Sequence, residues 1–337
     1  MESERTHREQ LGGYMLRVGY PTTILPEMMK AFPEDIELVP ISDNMEDEVE
    51  IDVWIPDPYS TRAKRAWPHL RGVKLVLALM AGTEWITAMV GPYVTVCNAR
   101  GAHNVSTAEW TLTAVLASLK YFPLYFDIQK SAKWTRRFEA SANYAAITGD
   151  GRAVYPPILQ EELTGKTVLL VGYGSIGKEI ERMLQPFRVE LLRVARGPRT
   201  QPRVYPVSEL DNLLPNAQIV ILIVPSTPET RHLINASRLA RMQQGALLVN
   251  AARGPVVDTD ALVAALQSGK IRAAVDVTDP EPLPPDHPLW HCPNLLLTPH
   301  IGGSTPQFSP RALAAAADEL GRYLRGEPLH NVVQAAI

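Results

Sequence analysis

The chain has 337 residues, more than one hydrophobic core usually serves, so two domains are expected, each able to bury its own core. Hydrophobic residues make up 46% and charged residues 20%, the balance of a folded globular protein, and a net charge of −3 offers no broad attraction to nucleic acid or an anionic membrane. Cys97 and Cys292 show no CxxC or Cys/His spacing, so neither a disulfide framework nor a metal site is expected, and a reducing, cytoplasmic setting fits.

Residues 1–10 are polar and charged, lack the apolar run of a secretory signal, and read as a loose tail. Short apolar runs then alternate with helix-like segments, and residues 15–20, Ile36–Ile41, 51–55, 73–79 and 94–97 read as strands. Such alternation predicts a parallel sheet with helices on both faces. Asn104–Leu119 reads as a long helix with Ser106 as N-cap and Glu109 three residues on, a reciprocal capping pair. Residues 122–157 have weak periodicity and read as a loop or arm.

A second alternation follows, with runs at Thr167–Val171, 189–194, 219–224, Ala246–Asn250, 273–277 and 295–298, predicting six strands covered on both faces. The most apolar run, 219–224, is far short of the roughly 20 residues that cross a bilayer, so no membrane span is expected. Helices at 235–244 and 258–268 are framed by an N-cap residue and a following glycine, Gly245 and Gly269. Residues 279–293 are irregular and rich in proline, which limits the conformations of a loop. Residues 310–324 read as a helix returning to the first domain.

Gly172-Tyr173-Gly174-Ser175-Ile176-Gly177 directly follows a strand and opens a helix. Glycines there permit a tight turn and close backbone approach, so a pyrophosphate can sit against the free amides and positive dipole of the helix N-terminus. NAD binding would call for an acidic residue at the end of the next strand, to hold the ribose 2'-hydroxyl. Ala195 stands there instead, followed by Arg196 and Arg199, and arginine suits the 2'-phosphate of NADP. NADP is therefore the expected cofactor, with NAD as the alternative.

Arg253, Glu281 and His300 each follow an apolar strand of the second sheet, and carboxyl ends of strands line the ligand crevice in open α/β sheets. An arginine can hold a carboxylate bidentately, a histidine can pass the proton that accompanies hydride transfer, and a nearby carboxylate can orient the imidazole and favour its protonated form. A 2-oxo acid needs both functions. Taken singly, each residue also fits an ordinary structural role.

The order GYGSIG, NAARGPVVD, DVTDPEPLP and LLLTPHIGGST resembles the D-isomer-specific 2-hydroxy acid dehydrogenase family over residues 162–333. The resemblance implies that Arg253 binds the substrate carboxylate, Glu281 supports the histidine and His300 is the acid/base. It further implies cofactor contacts from Thr107, Gly172, Gly174, Ser175, Ile176, Gly177, Pro225, Thr230, Ala252 and Asp276, alongside Arg196, and a carboxylate received by backbone amides around Ala81-Gly82-Thr83. Asn98-Ala99-Arg100-Gly101 looks like the Arg253 string but ends a first-domain strand, and Arg253 is preferred for its surroundings.

The implied architecture is α/β, with two doubly wound parallel-sheet domains. A flavodoxin-like substrate domain, residues 14–102 and 302–337, accepts an inserted Rossmann cofactor domain, residues 103–301, and hinge bending would exclude water from the reacting carbons. A homodimer is the expected assembly. The link between Trp134 and Glu162 is longer than in the family, which implies an inserted arm over the site or against a second subunit, and Met80 and Trp85 near the carboxylate loop also depart from the family. DVTDPEPLP most resembles glyoxylate and hydroxypyruvate reductases, so a small polar 2-oxo acid is the expected substrate. The alternatives are a phosphoglycerate dehydrogenase, which often carries a C-terminal regulatory domain for which the chain leaves no room, and a dinucleotide-sensing corepressor-like protein.

Overall fold

Runs of Val, Ile and Leu broken by glycine, proline and amphipathic stretches give, among the described residues, two large sheets and a two-stranded parallel pair, Val49–Glu50 with Leu70–Arg71. The structure, a computed structural model, describes residues 15–149 and 157–337; the polar tail at 1–10 and residues 150–156 of the expected arm lie outside them. The chain divides into two compact units, Met1–His103 with Thr305–Ile337, and Asn104–Ser304.

In the first unit the sheet runs in the order Val332–Gln334, Thr95–Cys97, Leu75–Leu77, Val53–Trp54, Leu16–Pro21, Ile36–Ile41. Five strands are parallel and in the flavodoxin-like order 2-1-3-4-5, with Leu16 opposite Ile36 and Val53 opposite Val18 and Leu75. Alternate residues serve opposite faces: Val53 and Ile55 join Leu16, Val18, Leu75 and Leu77 in one core, while Trp54 and Val76 join Ile41, Ile86 and Val96 in the other. Burying each such side chain contributes about 1.5–3 kcal/mol. Helix Phe308–Leu324 sets Ala312, Leu313, Ala316 and Leu320 into the first of these cores, the return expected for the C-terminal helix.

The edge strand Val332–Gln334 was not anticipated and runs antiparallel to Thr95–Cys97. Its anchor is Glu319, 1% exposed, whose carboxylate accepts the His330 and Asn331 amides at 2.9–3.2 Å. A two-valine run is too short to announce a strand.

The second unit holds seven parallel strands in the order Tyr205–Pro206, Glu190–Ala195, Thr167–Val171, Ile219–Leu222, Ala246–Asn250, Ile271–Val275, Leu295–Leu297. The order reverses between Thr167–Val171 and Ile219–Leu222, which opens a crevice at their carboxyl ends. The expectation of six buried strands needs correction. A seventh, Tyr205–Pro206, lies at one edge, and Glu190–Ala195 and Leu295–Leu297 are only part-covered because they sit toward the edges. Asn235 and Asp258 do cap their helices, accepting the amides of Arg238 and Ala261.

Two local expectations fail. Ser106 is not an N-cap: helix Asn104–Leu119 begins two residues earlier and buries Ser106 in its first turn. Of the stretch expected to be a loop or arm, the described residues 122–149 are not a loop, since they form helix Phe122–Ser131, a 3₁₀ turn at Trp134–Phe138 and helix Glu139–Thr148. Only Ile128 is buried in the first of these helices, and Ala140, Ser141 and Ile147 in the second, so no apolar stripe advertised them.

Candidate active site

Each glycine of the GxGxxG turn has its own reason. Gly172 has φ +111°, and a Cβ there would stand 2.4 Å from the Ile223 carbonyl oxygen on the neighbouring strand's loop. A Cβ on Gly177 would meet the Gly172 oxygen at 2.3 Å, so the helix packs directly on the turn. Gly174 faces open space within 4 Å, at the N-cap of helix Ser175–Leu184. Two glycines thus close the turn while the third leaves the helix N-terminus, with the Ser175 and Ile176 amides, open to an anion. This geometry fits a dinucleotide pyrophosphate.

Beyond the turn, Arg196 is exposed just after Glu190–Ala195, and its charge acts on exposed Glu229 across the crevice. The loop after Ile219–Leu222 is closed by Thr230, whose hydroxyl donates to the Pro225 carbonyl at 2.7 Å and accepts the Thr227 amide at 2.8 Å. Pro225 and Thr230, both expected at the cofactor, therefore form one loop. Thr107 is buried on helix Asn104–Leu119, where its carbonyl accepts the Thr111 hydroxyl.

Three successive strand ends supply the chemical groups. After Ala246–Asn250, buried Asn250 folds back on its own loop: its amide donates to the Arg253 carbonyl at 3.0 Å and its oxygen accepts the Ala252 amide at 3.1 Å. The Arg253 guanidinium is half-buried and donates one N–H to the Ala252 carbonyl. After Ile271–Val275 comes the loop bearing Glu281, and after Leu295–Leu297 the loop bearing His300. His300 Nδ1 lies 2.6 Å from Glu281 Oε1. With Nδ1 donating to this carboxylate, Nε2 is left as the atom that can exchange a proton.

The hydrogen bond to Glu281 raises the His300 pKa above the ordinary imidazole value, helped by the charges of Glu281 and Asp276 and opposed by partial burial and by Arg253. The same bond holds Glu281 below the usual carboxylate range, with His300 and Arg253 charge assisting and burial opposing. Arg253 acts on both partners, so all three expected catalytic residues share one electrostatic site.

Asp276 is 5% exposed, and its carboxylate is occupied with the histidine loop. It accepts the Thr298 hydroxyl at 2.6 Å, the Ile301 amide at 2.9 Å and the Gly302 amide at 2.7 Å, while its carbonyl accepts the His300 amide at 2.7 Å. Trp110 Nε1 caps the array on Thr298 Oγ1 at 3.1 Å. This bracket holds His300 at φ +54°, a backbone conformation that side chains rarely adopt. In the first unit, Ala81-Gly82-Thr83 lie on the loop after Leu75–Leu77, and the Ala81 carbonyl accepts the Asn98 side-chain amide at 2.8 Å.

A family model described as D-isomer specific 2-hydroxyacid dehydrogenase, NAD binding domain, matches residues 114–302. The chain belongs to this family of nicotinamide-dependent oxidoreductases. A glyoxylate reductase of Thermofilum pendens is 39% identical over 242 residues, 70% of this chain and 66% of that protein. A mitochondrial formate dehydrogenase of Hordeum vulgare is 33% identical over 77% of this chain and 67% of its own. The aligned stretches thus span about two thirds of these curated relatives' length. Among solved structures, a D-isomer specific 2-hydroxyacid dehydrogenase of Xanthobacter autotrophicus Py2, in complex with NADPH and MES, superposes with a TM-score of 0.74 at 26% identity, covering 95% of this chain and 98% of that one.

For a dehydrogenase of this family, sequence patterns point to the charged trio but not to the residues that hold it. Asn250 had a visible signal, a polar side chain ending the otherwise apolar run ALLVN, which in a buried strand demands partners. Thr298 and Trp110 had none, being 188 residues apart in the chain.

Proposed function

We propose that the chain reduces a small polar 2-oxo acid, of the glyoxylate or hydroxypyruvate kind, to its D-2-hydroxy acid with NADPH, and runs the reverse oxidation. The observation that carries this reading is the 2.6 Å His300–Glu281 pair with the Arg253 charge acting on both members. A nicotinamide dinucleotide held at the Gly172–Gly177 turn would supply the hydride chemistry. His300 Nε2 gives its proton to the oxo oxygen, Glu281 stabilises the imidazolium, and the Arg253 fork holds the substrate carboxylate; the Ala81-Gly82-Thr83 amides are assigned to that carboxylate as well.

Formate oxidation, the activity named for the barley relative, releases carbon dioxide and a hydride with no hydroxyl proton to move. A charged His–Glu pair has no task in it, which supports the oxo-acid reading. Turnover across glyoxylate, hydroxypyruvate, 3-phosphohydroxypyruvate and formate, with both cofactors, tests the assignment. No turnover with any oxo acid would sink it and favour a dinucleotide-sensing role.

The cofactor domain is proposed to be the second unit and the substrate domain the first. NADPH is proposed as the preferred cofactor because Ala195 places no carboxylate against a 2'-phosphate and Arg196 is exposed beside it. A charge-assisted hydrogen bond there is worth about 1.5–3 kcal/mol, reduced by solvent and by neighbouring Glu229. Arg196→Ala is expected to weaken NADPH about tenfold and leave NADH nearly unchanged. Steady-state constants for both cofactors decide it, and an NADH preference of the unmodified enzyme would overturn this choice.

A homodimer is proposed through the helical arm, which exposes Phe122, Phe126, Trp134 and Phe138. Sedimentation velocity is expected to give twice the chain mass, shifting toward the monomer in Trp134→Ser. A concentration-independent monomer for the unmodified chain counts against it.

A further inference from the structure

We infer that Asn98 is a positioning residue that aims the Gly82 N–H at the substrate carboxylate by holding the Ala81 carbonyl in the opposite direction. The inference rests on the assignment of the Ala81-Gly82-Thr83 loop to that carboxylate, and it names what sets the loop's polarity.

The argument begins with the peptide plane. The Ala81 carbonyl and the Gly82 N–H belong to one trans peptide unit, in which C=O and N–H point in opposite directions. Whatever fixes one fixes the other. Asn98 Nδ2 donates to the Ala81 oxygen at 2.8 Å, which turns that carbonyl toward the end of strand Thr95–Cys97. The Gly82 N–H then points away from it, and within the described residues it has no protein acceptor. A peptide flip, easy in a loop containing glycine, would present a carbonyl oxygen to an anion instead of a donor. Asn98 blocks the flip.

Asn98 is itself held on three sides. Its Oδ1 accepts the Arg100 amide at 3.2 Å, which fixes which end of the side chain faces Ala81. Its backbone N–H donates to the Asn331 carbonyl at 3.0 Å, and the next amide, Ala99, donates to the Met80 carbonyl at 3.2 Å. Asn331 is tied in turn to the buried carboxylate of Glu319. Edge strand and C-terminal helix thereby brace the residue that sets the loop.

Steady-state kinetics of glyoxylate reduction by the full chain test the proposal, with NADPH binding followed by fluorescence titration and folding by thermal melting. A lost hydrogen bond to a charged group corresponds to a roughly 10- to 100-fold effect. Asn98→Ala is expected to raise the glyoxylate KM by about that factor. Its kcat should stay within a few-fold and NADPH binding should be unchanged, the pattern of lost substrate binding. Asn98→Asp keeps an acceptor for Arg100 but cannot donate to Ala81, and should raise KM at least as much. If only the aspartate variant shows the rise, charge repulsion explains it and the proposal fails. If Asn98→Ala leaves the glyoxylate KM unchanged while Arg253→Ala raises it, the oxo-acid reading stands and the role of Asn98 is overturned; insensitivity to both substitutions overturns both. A variant that loses kcat, NADPH affinity and melting temperature together would mark Asn98 as a general structural support and also overturn the proposal.

Discussion

Replacing His300 by alanine is expected to lower kcat for oxo-acid reduction by roughly 10²- to 10⁴-fold, the usual worth of a positioned general acid, while NADPH binds as before. The imidazole is half exposed and its principal side-chain partner is Glu281, so its removal leaves the bracket around Asp276 intact. The glycine turn that fits the pyrophosphate lies at another strand end. Turnover and NADPH fluorescence titration, run on the same preparation, measure the two effects. Undiminished turnover removes His300 from the proton-transfer role. The same residue sets the pH dependence. Its pKa is raised, so the protonated donor persists to higher pH than an ordinary imidazole would allow, and reduction falls as pH rises through the raised value. Glu281→Gln removes the hydrogen-bonded charge that raises it, so the alkaline fall in kcat/KM should move to lower pH. A profile that does not move would show that Glu281 is not the partner that matters.

The parts of the fold read from sequence are those set by local patterns. Apolar runs such as TVLLV and ALLVN mark strands because both faces of a central parallel strand are buried, and Asn235 and Asp258 mark helix starts because a side-chain oxygen must serve free amides. The charged trio was legible for a related reason: each member lies on the loop that follows an apolar strand, where an open α/β sheet gathers its ligands. Ser106 misled because a hydroxyl three residues before a glutamate also suits the interior of a first turn. The helices at Phe122–Ser131 and Glu139–Thr148 bury too little to write a stripe. The hydrogen bonds of the Asp276 carboxylate to Thr298, Ile301 and Gly302 were not legible, because nothing local marks an aspartate that braces the next loop. Long-range contacts of this kind are set by topology, and the sheet order appears in no single window of residues.

Gly254 shows how tightly that topology joins the loops bearing Arg253 and Glu281, and substituting it is expected to abolish most turnover without touching a charged group. A Cβ built on Gly254 would stand 1.8 Å from the Thr278 carbonyl oxygen, 2.1 Å from the Thr278 carbonyl carbon and 2.7 Å from the Asp279 nitrogen. All three are backbone atoms, so no side chain can swing aside. Gly254 adjoins Arg253, and Thr278–Asp279 lead directly into Glu281. Gly254→Ala must therefore part the two loops by an ångström or more to restore ordinary contact distances. Misplacement of about 1 Å in a reacting constellation costs roughly 10²-fold. Here it separates Arg253, proposed to bind the substrate carboxylate, from Glu281, the hydrogen-bond partner of His300. The oxo-acid kcat/KM of Gly254→Ala is expected to fall by roughly 10²-fold or more, with NADPH affinity largely retained because the Gly172–Gly177 turn belongs to a different strand. Kinetics and NADPH titration, alongside thermal melting to confirm folding, provide the check. A folded variant with unmodified kcat/KM would mean that the close approach of these loops is not needed for catalysis.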